Sequence, residues 1–328
     1  MPIGILGVGF HVPETVVDNA RISEWADIPE EWVERRTGII ERRYAPAGMA
    51  TSDLAHEAVV DLLARNPGIE RDIGLVIVAT ATPDQPQPAT AVALQSGLGL
   101  EAAAAFDINA VCSGFLYGVT TAAALLASGP AHGRYALVVG ADMFSTVMDR
   151  GDRRTVSLFG DGAGAALLGP VPEGYGIGAS RMVAHGGLRR LVEVPAGGTR
   201  KPLTPEARAA GEHLFKMDGR AVAAYALKVL PEVVGETLAD CGLSVEDIDR
   251  FIFHQANVRL LERMTAEMKL DPDQVPMTAP AYGNTGAASI PITMRDAQMR
   301  RPFRRGERIL LAAVGGGMTA AGTVLTWY

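Results

Sequence analysis

Three side chains at distant points of the chain have the types that thioester chemistry needs: Cys112, His254 and Asn284. A thiolate is a strong nucleophile towards acyl groups. A neutral imidazole and a carboxamide are hydrogen-bond donors that stabilise an enolate oxygen. The three types together suit a reaction in which sulfur carries an acyl group while a malonyl group loses carbon dioxide and forms a new carbon–carbon bond.

Cys112 follows an apolar segment, 106–111, and precedes a glycine-containing turn that leads into an alanine-rich helical run. At such a strand-to-helix turn, the free N–H groups and the positive end of the helix dipole favour a thiolate. The alternative is a buried cysteine that fills a small gap.

His254 ends an apolar strand, and Asn284 lies in a glycine-flanked turn that opens a helix. Taken locally, the histidine has a structural alternative and the asparagine is also a good helix N-cap. The triple glycine 315–317 is either a tight turn or a set of backbone N–H groups that face a developing oxyanion.

An internal repeat in the sequence places Cys112 and Asn284 at equivalent positions of two similar halves. A helix, an Asp-Ile pair and a strand recur after about 175 residues, and the Cys112 turn falls opposite the Asn284 turn. The chain therefore resembles a thiolase-like α/β protein, with α-β-α-β-α layers and two pseudo-symmetric halves, 1–172 and 173–328. The first half carries the cysteine and the second the histidine and asparagine. The segment 184–210, rich in glycine and proline, is predicted to be a long excursion that covers a site.

Composition narrows the function further. The 328 residues are 48% hydrophobic and carry a net charge of −7, which argues against general nucleic-acid binding. The N-terminus has no basic n-region, and no apolar run approaches the roughly 20 residues that span a bilayer, so we expect no membrane insertion. Two cysteines make neither a disulfide framework nor a zinc site by themselves, which favours a reducing cytoplasm. The thioester chemistry of Cys112, His254 and Asn284 requires no metal or organic cofactor.

Motifs along nearly the whole chain resemble the β-ketoacyl-acyl-carrier-protein synthase III family. They lie at 31–39, 109–115, 159–164, 254–257 and 283–285. The resemblance implies an acyltransferase in which an acyl-CoA loads Cys112 and a decarboxylative Claisen condensation with malonyl-acyl-carrier protein gives a 3-oxoacyl thioester. It implies His254 and Asn284 as the decarboxylation pair and the N–H groups of Cys112 and Gly316 as the oxyanion hole.

The resemblance also implies binding residues for both thioester substrates. The nucleotide end of CoA is assigned to Trp32, Arg36 and Arg153. The pantetheine tunnel is assigned to Gly211, Phe215 and Asn257. Docking of the carrier protein is assigned to Lys216, Arg259 and Arg263. A homodimer is expected, with the strand near 105–108 as a plausible edge.

Three departures from the family pattern keep a second function open. Gln87 stands where a bulky apolar residue often reaches into the partner's acyl pocket, Ala266-Glu267 replaces frequent lysines, and Gly286 replaces a frequent serine. The alternative is a specialised synthase III-like acyltransferase of polyketide or secondary metabolism, which condenses unusual acyl units or passes the acyl group to an oxygen or nitrogen acceptor. Type III polyketide synthases carry a C-terminal motif that is missing here, and a catalytically inactive partner subunit would lack one of the three catalytic residues.

Overall fold

The computed structural model describes residues 1–129 and 133–328. The strands are β1 (Ile3–His11), β2 (Val16–Asp18), β3 (Glu41–Arg43), β4 (Ile73–Ala79), β5 (Ala104–Ile108), β6 (Tyr135–Met143), β7 (Asp161–Pro170), β8 (Gly176–Ala184), β9 (Val192–Glu193), β10 (Lys216–Met217), β11 (Arg250–Phe253), β12 (Arg308–Gly315) and β13 (Thr319–Thr326). The helices are α1 (Asn19–Ala26), α2 (Glu30–Thr37), α3 (Thr51–Leu63), α4 (Thr90–Gly97), α5 (Gly114–Ser128), α6 (Arg153–Val156), α7 (Pro205–Ala209), α8 (Gly219–Asp240), α9 (Val258–Glu267), α10 (Ala279–Tyr282) and α11 (Ser289–Arg300).

Two mixed sheets carry the repeat that the sequence predicted. The first sheet has the order β1-β7-β6-β4-β5, with antiparallel pairing as far as β6 and parallel pairing beyond it. The second has the order β8-β13-β12-β11, again antiparallel as far as β12 and parallel beyond it. Because strand order and direction match, the two similar α/β halves are confirmed. The division of the chain at residue 172 stays a prediction.

Helices cover both sheets and fill the space between them. Helix α3 packs on β1 and β7, whereas α8 packs on β13 and β8. Helices α5 and α11 lie between the sheets, where Phe115, Leu116, Ile290 and Met294 join one buried apolar cluster. This gives the expected α-β-α-β-α layering, and it brings the N-termini of two central helices to the middle of the molecule.

Glycines in the first sheet let the second half approach closely. A Cβ at Gly140 would lie 2.3 Å from the Ala287 carbonyl oxygen, and one at Gly164 would lie 2.7 Å from Cγ of Pro291. Any larger side chain would force the α11 segment away from the sheet. These contacts set the distance between strands β6 and β7 and the segment that follows Asn284.

Within residues 1–129 and 133–328, one helical segment, Val111–Ser128, meets the length and composition of a membrane span. The expectation that no apolar run approaches that length is therefore corrected. Its residues Phe115, Leu116 and Val119 are fully buried between the two sheets. The segment is apolar because it is a central helix with protein on both sides.

Candidate active site

One cavity of about 170 Å³ brings the three predicted catalytic residues together. Cys112, His254 and Asn284 all line it, with Gly315 and Gly316 from the end of β12. The side chains come from three segments that are far apart in sequence but meet where the two central helices begin. The predicted oxyanion glycine, Gly316, lies in the same wall as Cys112.

Cys112 sits in a short 3-10 turn that leads directly into α5. Its neighbour Val111 has φ of +48°, a left-handed conformation that is strained for a β-branched residue and costs about 1–3 kcal/mol. The Thr319 hydroxyl holds this turn by donating to the Ala110 carbonyl over 3.1 Å. Strain that surrounding contacts maintain is typical of a nucleophile held in a fixed direction.

Two influences act on the Cys112 thiol in opposite directions. Burial raises its pKa, and the negative charge of Asp142 raises it further. The N–H groups at the start of α5 favour the thiolate, as the sequence suggested. Because burial is the largest effect, the thiol form is favoured before substrate enters, and the expectation of a preformed thiolate is not supported.

His254 follows β11 and is 8% exposed. Its backbone N–H donates to the Ala312 carbonyl over 2.9 Å, which ties the loop to β12. Its Nδ1 lies 2.7 Å from Oγ of Ser289, the first residue of α11. Burial lowers the pKa of His254 to about 4, so the imidazole is neutral at physiological pH.

Asn284 is clamped by the first half of the molecule. Its N–H donates to the Leu158 carbonyl over 2.8 Å, and its carbonyl accepts from the Gly160 N–H over 3.0 Å. Its side-chain Oδ1 accepts from the Gly286 N–H over 3.0 Å. The N-cap of α11 is Ala288, so Asn284 is not that helix cap. With Oδ1 engaged, Nδ2 is the side-chain atom left to face the cavity.

Asp142 is a buried residue at the end of β6 that the sequence analysis missed. Its Oδ1 accepts from the Ala81 N–H over 2.7 Å, and its Oδ2 accepts from the Ala287 N–H over 2.8 Å. Burial raises the pKa of Asp142 to about 6. The carboxylate therefore joins a loop of the first half to the turn that carries Asn284. A charged residue directly after the apolar run 135–141 was the sequence signal for it.

An aromatic cluster forms one wall of the cavity. Phe144 lies 4.6 Å from Phe159 and 5.7 Å from Phe215, measured between ring centroids, and all three line the cavity. Val192, within the excursion predicted for 184–210, lines the same wall. The excursion therefore covers the site as expected, and Phe215 lies at the cavity as the resemblance implied.

Two surface grooves adjoin the cavity and share four residues, Arg36, Gly219, Arg220 and Asn257, which we call the mouth. Gly219 and Asn257 also line the cavity, so the mouth connects it to the surface. The Asn257 side chain caps α9 by accepting from the Leu260 N–H over 2.9 Å. Asn257 thus lies where the cavity opens and Arg36 lies beside it at the surface, and their roles towards pantetheine and CoA stay predictions.

Of the other residues that were predicted to bind CoA or pantetheine, Trp32 lines a groove, whereas in the described part of the chain Arg153 and Gly211 line neither groove nor the cavity. Trp32 lines one groove, and the Arg153 guanidinium lies 5.7 Å from its ring centroid, although Arg154 rather than Arg153 lines that groove. Gly211 follows α7 and lines none of these three cavities of the described chain. Gly219, at the start of α8, lines all three. The cavity geometry therefore favours Gly219 over Gly211 for the tunnel wall.

The three predicted docking cations each have an acidic neighbour. Arg259 pairs with Glu262 at 3.0 Å, Arg263 pairs with Glu267 at 2.7 Å, and Lys216 lies 3.9 Å from Asp149. Arg220 and Lys228, which the sequence analysis did not single out, line the groove between α8 and α9. Within residues 1–129 and 133–328 neither of them forms an ion pair.

Gln87 lies on the exposed loop before α4 and does not line the cavity of its own chain, as far as the described residues show. Its position is compatible with a residue that reaches outwards. Its assignment to a partner's acyl pocket stays a prediction.

Comparison with known proteins supports this geometry. Residues 106–186 match the family described as 3-oxoacyl-[acyl-carrier-protein (ACP)] synthase III, and residues 238–327 match its C-terminal family. Acetoacetyl CoA synthase NphT7 of Streptomyces sp. (strain CL190) is 43% identical over 98% of this chain and 98% of its own. The β-ketoacyl-[acyl-carrier-protein] synthase III of Caldanaerobacter subterraneus is 42% identical over 99% of this chain and 97% of its own.

Solved structures agree with the observed fold. The synthase III of Thermus thermophilus superposes with a TM-score of 0.91 at 39% identity and covers 99% of both chains. The priming β-ketosynthase of the R1128 polyketide pathway superposes with a TM-score of 0.90 at 30% identity, over 99% of this chain and 96% of that one.

The layered fold and these relatives define the chain as a thiolase-fold condensing enzyme, which is a type of acyltransferase. Within that class, it belongs to the β-ketoacyl-[acyl-carrier-protein] synthase III family. The family resemblance seen in the sequence is confirmed.

Proposed function

We propose that Cys112 takes an acyl group from an acyl-CoA and that His254 and Asn284 promote decarboxylation of a malonyl thioester, which then attacks the acyl group. The observation that carries this proposal is the orientation of two donors. Nδ1 of His254 and Oδ1 of Asn284 are each engaged in the protein, at 2.7 and 3.0 Å. Both side chains line the cavity together with Cys112, so Nε2 and Nδ2 are the atoms left available to a substrate there.

The first half-reaction loads the enzyme. The Cys112 thiol gives up its proton as its sulfur attacks the thioester carbonyl carbon, and a new carbon–sulfur bond forms. The bond from that carbon to the CoA sulfur breaks, and the departing CoA thiolate takes up the proton. The N–H groups of Cys112 and Gly316 stabilise the tetrahedral oxyanion. Apolar walls exclude water from the acyl-enzyme.

The second half-reaction forms the carbon–carbon bond. The malonyl carboxylate leaves as carbon dioxide, and the electron pair of the broken bond moves onto the thioester oxygen as an enolate. Neutral donors on His254 and Asn284 hold that oxygen. The enolate carbon then attacks the acyl group, the Cys112 thiolate leaves, and a 3-oxoacyl thioester is released.

Following the family, the malonyl group arrives on acyl carrier protein, with Lys216, Arg259 and Arg263 as docking cations. A second candidate is an enzyme that uses malonyl-CoA directly, as the name of the acetoacetyl CoA synthase relative suggests. Arg259 and Arg263 are paired with glutamates, and paired surface cations attract an acidic carrier protein weakly. This pairing favours malonyl-CoA as the donor. Arg36 and Arg220 at the mouth form no ion pair with the described part of the chain, and free guanidinium groups of this kind suit CoA phosphates.

Loading followed by turnover tests both candidates. Wild type and Cys112→Ala are incubated with a panel of acyl-CoAs, adducts are weighed by intact-protein mass spectrometry, and malonyl-CoA or malonyl-carrier protein is then added. The proposal expects an adduct on wild type alone that is consumed with release of carbon dioxide, and the ratio of kcat/KM for the two donors identifies the natural one. An adduct that neither donor consumes points to an oxygen or nitrogen acceptor and contradicts the condensation.

We also propose a homodimer that works in the cytoplasm. Strand β5 is the edge of the first sheet and pairs only with β4 among the described strands, and its residues 105–108 are half-buried. An open edge of this kind pairs readily with a second copy. Both cysteines are free, which suits a reducing compartment. Light scattering tests the dimer, which a β5 variant with a central proline should disrupt.

A further inference from the structure

Ser289 is a buried hydroxyl at the start of α11 that touches a catalytic residue. It is 1% exposed, and its Oγ lies 2.7 Å from Nδ1 of His254. The N–H of Gln255 points at the same oxygen from 3.4 Å. The Gln255 side chain in turn donates to the Phe253 carbonyl over 2.9 Å, which fixes the loop that carries the imidazole.

The direction of the Ser289–His254 hydrogen bond follows from counting protons. The Gln255 N–H can only donate, so it uses a lone pair of Oγ. Among the described residues, Nδ1 of His254 is the remaining partner of this hydroxyl and the acceptor within its reach. If Nδ1 donated instead, the buried hydroxyl proton would have no partner, which is unfavourable.

The imidazole state follows from that direction. Burial lowers the pKa of His254 to about 4, so the ring is neutral and carries a single N–H. When Nδ1 accepts from the serine, the proton must be on Nε2, the ring nitrogen left available to a substrate in the cavity that His254 lines.

We infer that Ser289 is a positioning residue that holds His254 as its Nε2–H tautomer and thereby makes the imidazole a donor to the enolate rather than a base towards Cys112. Its consequence for catalysis rests on the proposed condensation. A ring that already carries a proton on Nε2 cannot accept one from the Cys112 thiol. Removal of the serine hydroxyl should therefore impair condensation while acyl loading continues.

Histidine-selective 15N NMR measures the tautomer directly. In wild type we expect Nε2 to show a protonated shift and Nδ1 an unprotonated one. In Ser289→Ala we expect averaged shifts from mixed tautomers and a condensation rate lower by about 10- to 100-fold, the range for lost partners of a functional histidine. Ser289→Thr, or Ser289→Cys if Thr does not fold, should recover both the shifts and the rate, fully or in part.

The matched control is Thr293→Val, which removes a buried hydroxyl from the same helix. Thr293 bonds to Thr278 and to the Ser289 carbonyl but not to the imidazole. We expect normal shifts and near-normal condensation. Thermal melting confirms folding of each variant.

Two results would overturn the inference: a proton on Nδ1 in wild type, or an unchanged Nε2–H tautomer with full condensation in Ser289→Ala. The NMR result does not depend on turnover. Failure of wild type to acquire an acyl group from any acyl-CoA would instead remove the proposed function and leave the tautomer assignment standing.

Discussion

The catalytic floor, by which we mean Cys112, Asp142, His254, Asn284 and Ser289, differs from the mouth in how it is held. Each floor side chain is at most 8% exposed. Directional hydrogen bonds position the last four: across the two halves for Asp142 and Asn284, and within the second half for His254 and Ser289. Arg36 and Arg220 at the mouth are exposed, with charges that solvent and salt screen. Changes to the floor should therefore have large effects, whereas changes to the mouth should have small ones.

Gly286 adjoins the floor residues Asp142 and Asn284, and it is the position where we expect the largest effect on stability. It has φ of +59°, and a Cβ there would lie 2.2 Å from Oδ2 of Asp142 and 2.4 Å from the Phe144 ring. Gly286→Ser should lower the free energy of unfolding by about 2–4 kcal/mol, because backbone strain and overpacking add. It should also displace the N–H that holds Asn284. Urea denaturation measures the stability.

Gly48→Ala is the matched control for this substitution. Its φ is +91°, but nothing lies within 4 Å of the added Cβ. Only the backbone cost, about 1–2 kcal/mol, should appear. Equal losses in the two variants would show that the packing around Asp142 is looser than described.

His254 should make the floor sensitive to acid. Its folded-state pKa is about 4 against an ordinary value of 6.5, so between these values the unfolded chain binds more protons. The contribution of neutral His254 to the free energy of unfolding is fully present above pH 6.5 and is lost as the pH falls towards 4. Between pH 7 and pH 5, wild type should lose about 2 kcal/mol more stability than His254→Gln.

Asp142 acts in the opposite direction in the same window, because burial raises its pKa to about 6. The contribution of protonated Asp142 to the free energy of unfolding is present at low pH and is lost as the pH rises through 6. It is common to wild type and His254→Gln, and it therefore cancels in the comparison. Parallel stability profiles of the two proteins would show that His254 titrates normally.

Cys112 should be protonated at neutral pH and should therefore react slowly with electrophiles. Because burial raises its pKa, alkylation by iodoacetamide should be slow at pH 7 and should rise about tenfold per pH unit up to pH 9. Cys112→Ala provides the background from Cys241. A rate that is already constant at pH 7 would mean that the helix N-terminus outweighs burial.

The smallest effects belong to two surface cations, Arg36 at the mouth and Arg263 on α9. Arg36→Ala should raise KM for acyl-CoA by roughly tenfold at unchanged kcat, since a charge-assisted hydrogen bond to phosphate contributes about 1.5 kcal/mol. Arg263→Ala should change KM for malonyl-carrier protein less than about twofold, because Arg263 is already paired with Glu267. The reverse order of effects would reinstate carrier docking on α9.

The sequence predicted more of the floor than of the mouth for a physical reason. Cys112, His254 and Asn284 have residue types that few structural roles share, and the repeat related two of their turns. Asp142 and Ser289 act through partners 145 and 35 residues away, which no local pattern reveals. The sequence analysis did not consider Gly219, which lines the cavity and both grooves, because its place at the start of α8 is visible only in the fold.

Helix α5 shows the same limit. Its alanines, glycines and threonines made the segment look less apolar than a membrane span, although its mean hydropathy reaches that range. Its burial between the two sheets depends on contacts from both halves of the chain, which the local sequence does not show. Strands β4, β6, β11 and β12 are easier to recognise, because they are buried on both faces and appear in the sequence as continuous apolar runs.

The central claim is that the cysteine carries the acyl group while the histidine and asparagine act only on the malonyl group. A single-turnover experiment with wild type, His254→Ala and Asn284→Ala separates the steps, with the acyl adduct followed by intact-protein mass spectrometry before and after a malonyl thioester is added. We predict that all three proteins acquire the adduct and that the two variants consume it about 10²- to 10³-fold more slowly than wild type. Loss of acyl loading in either variant, or consumption at the wild-type rate, would contradict the account.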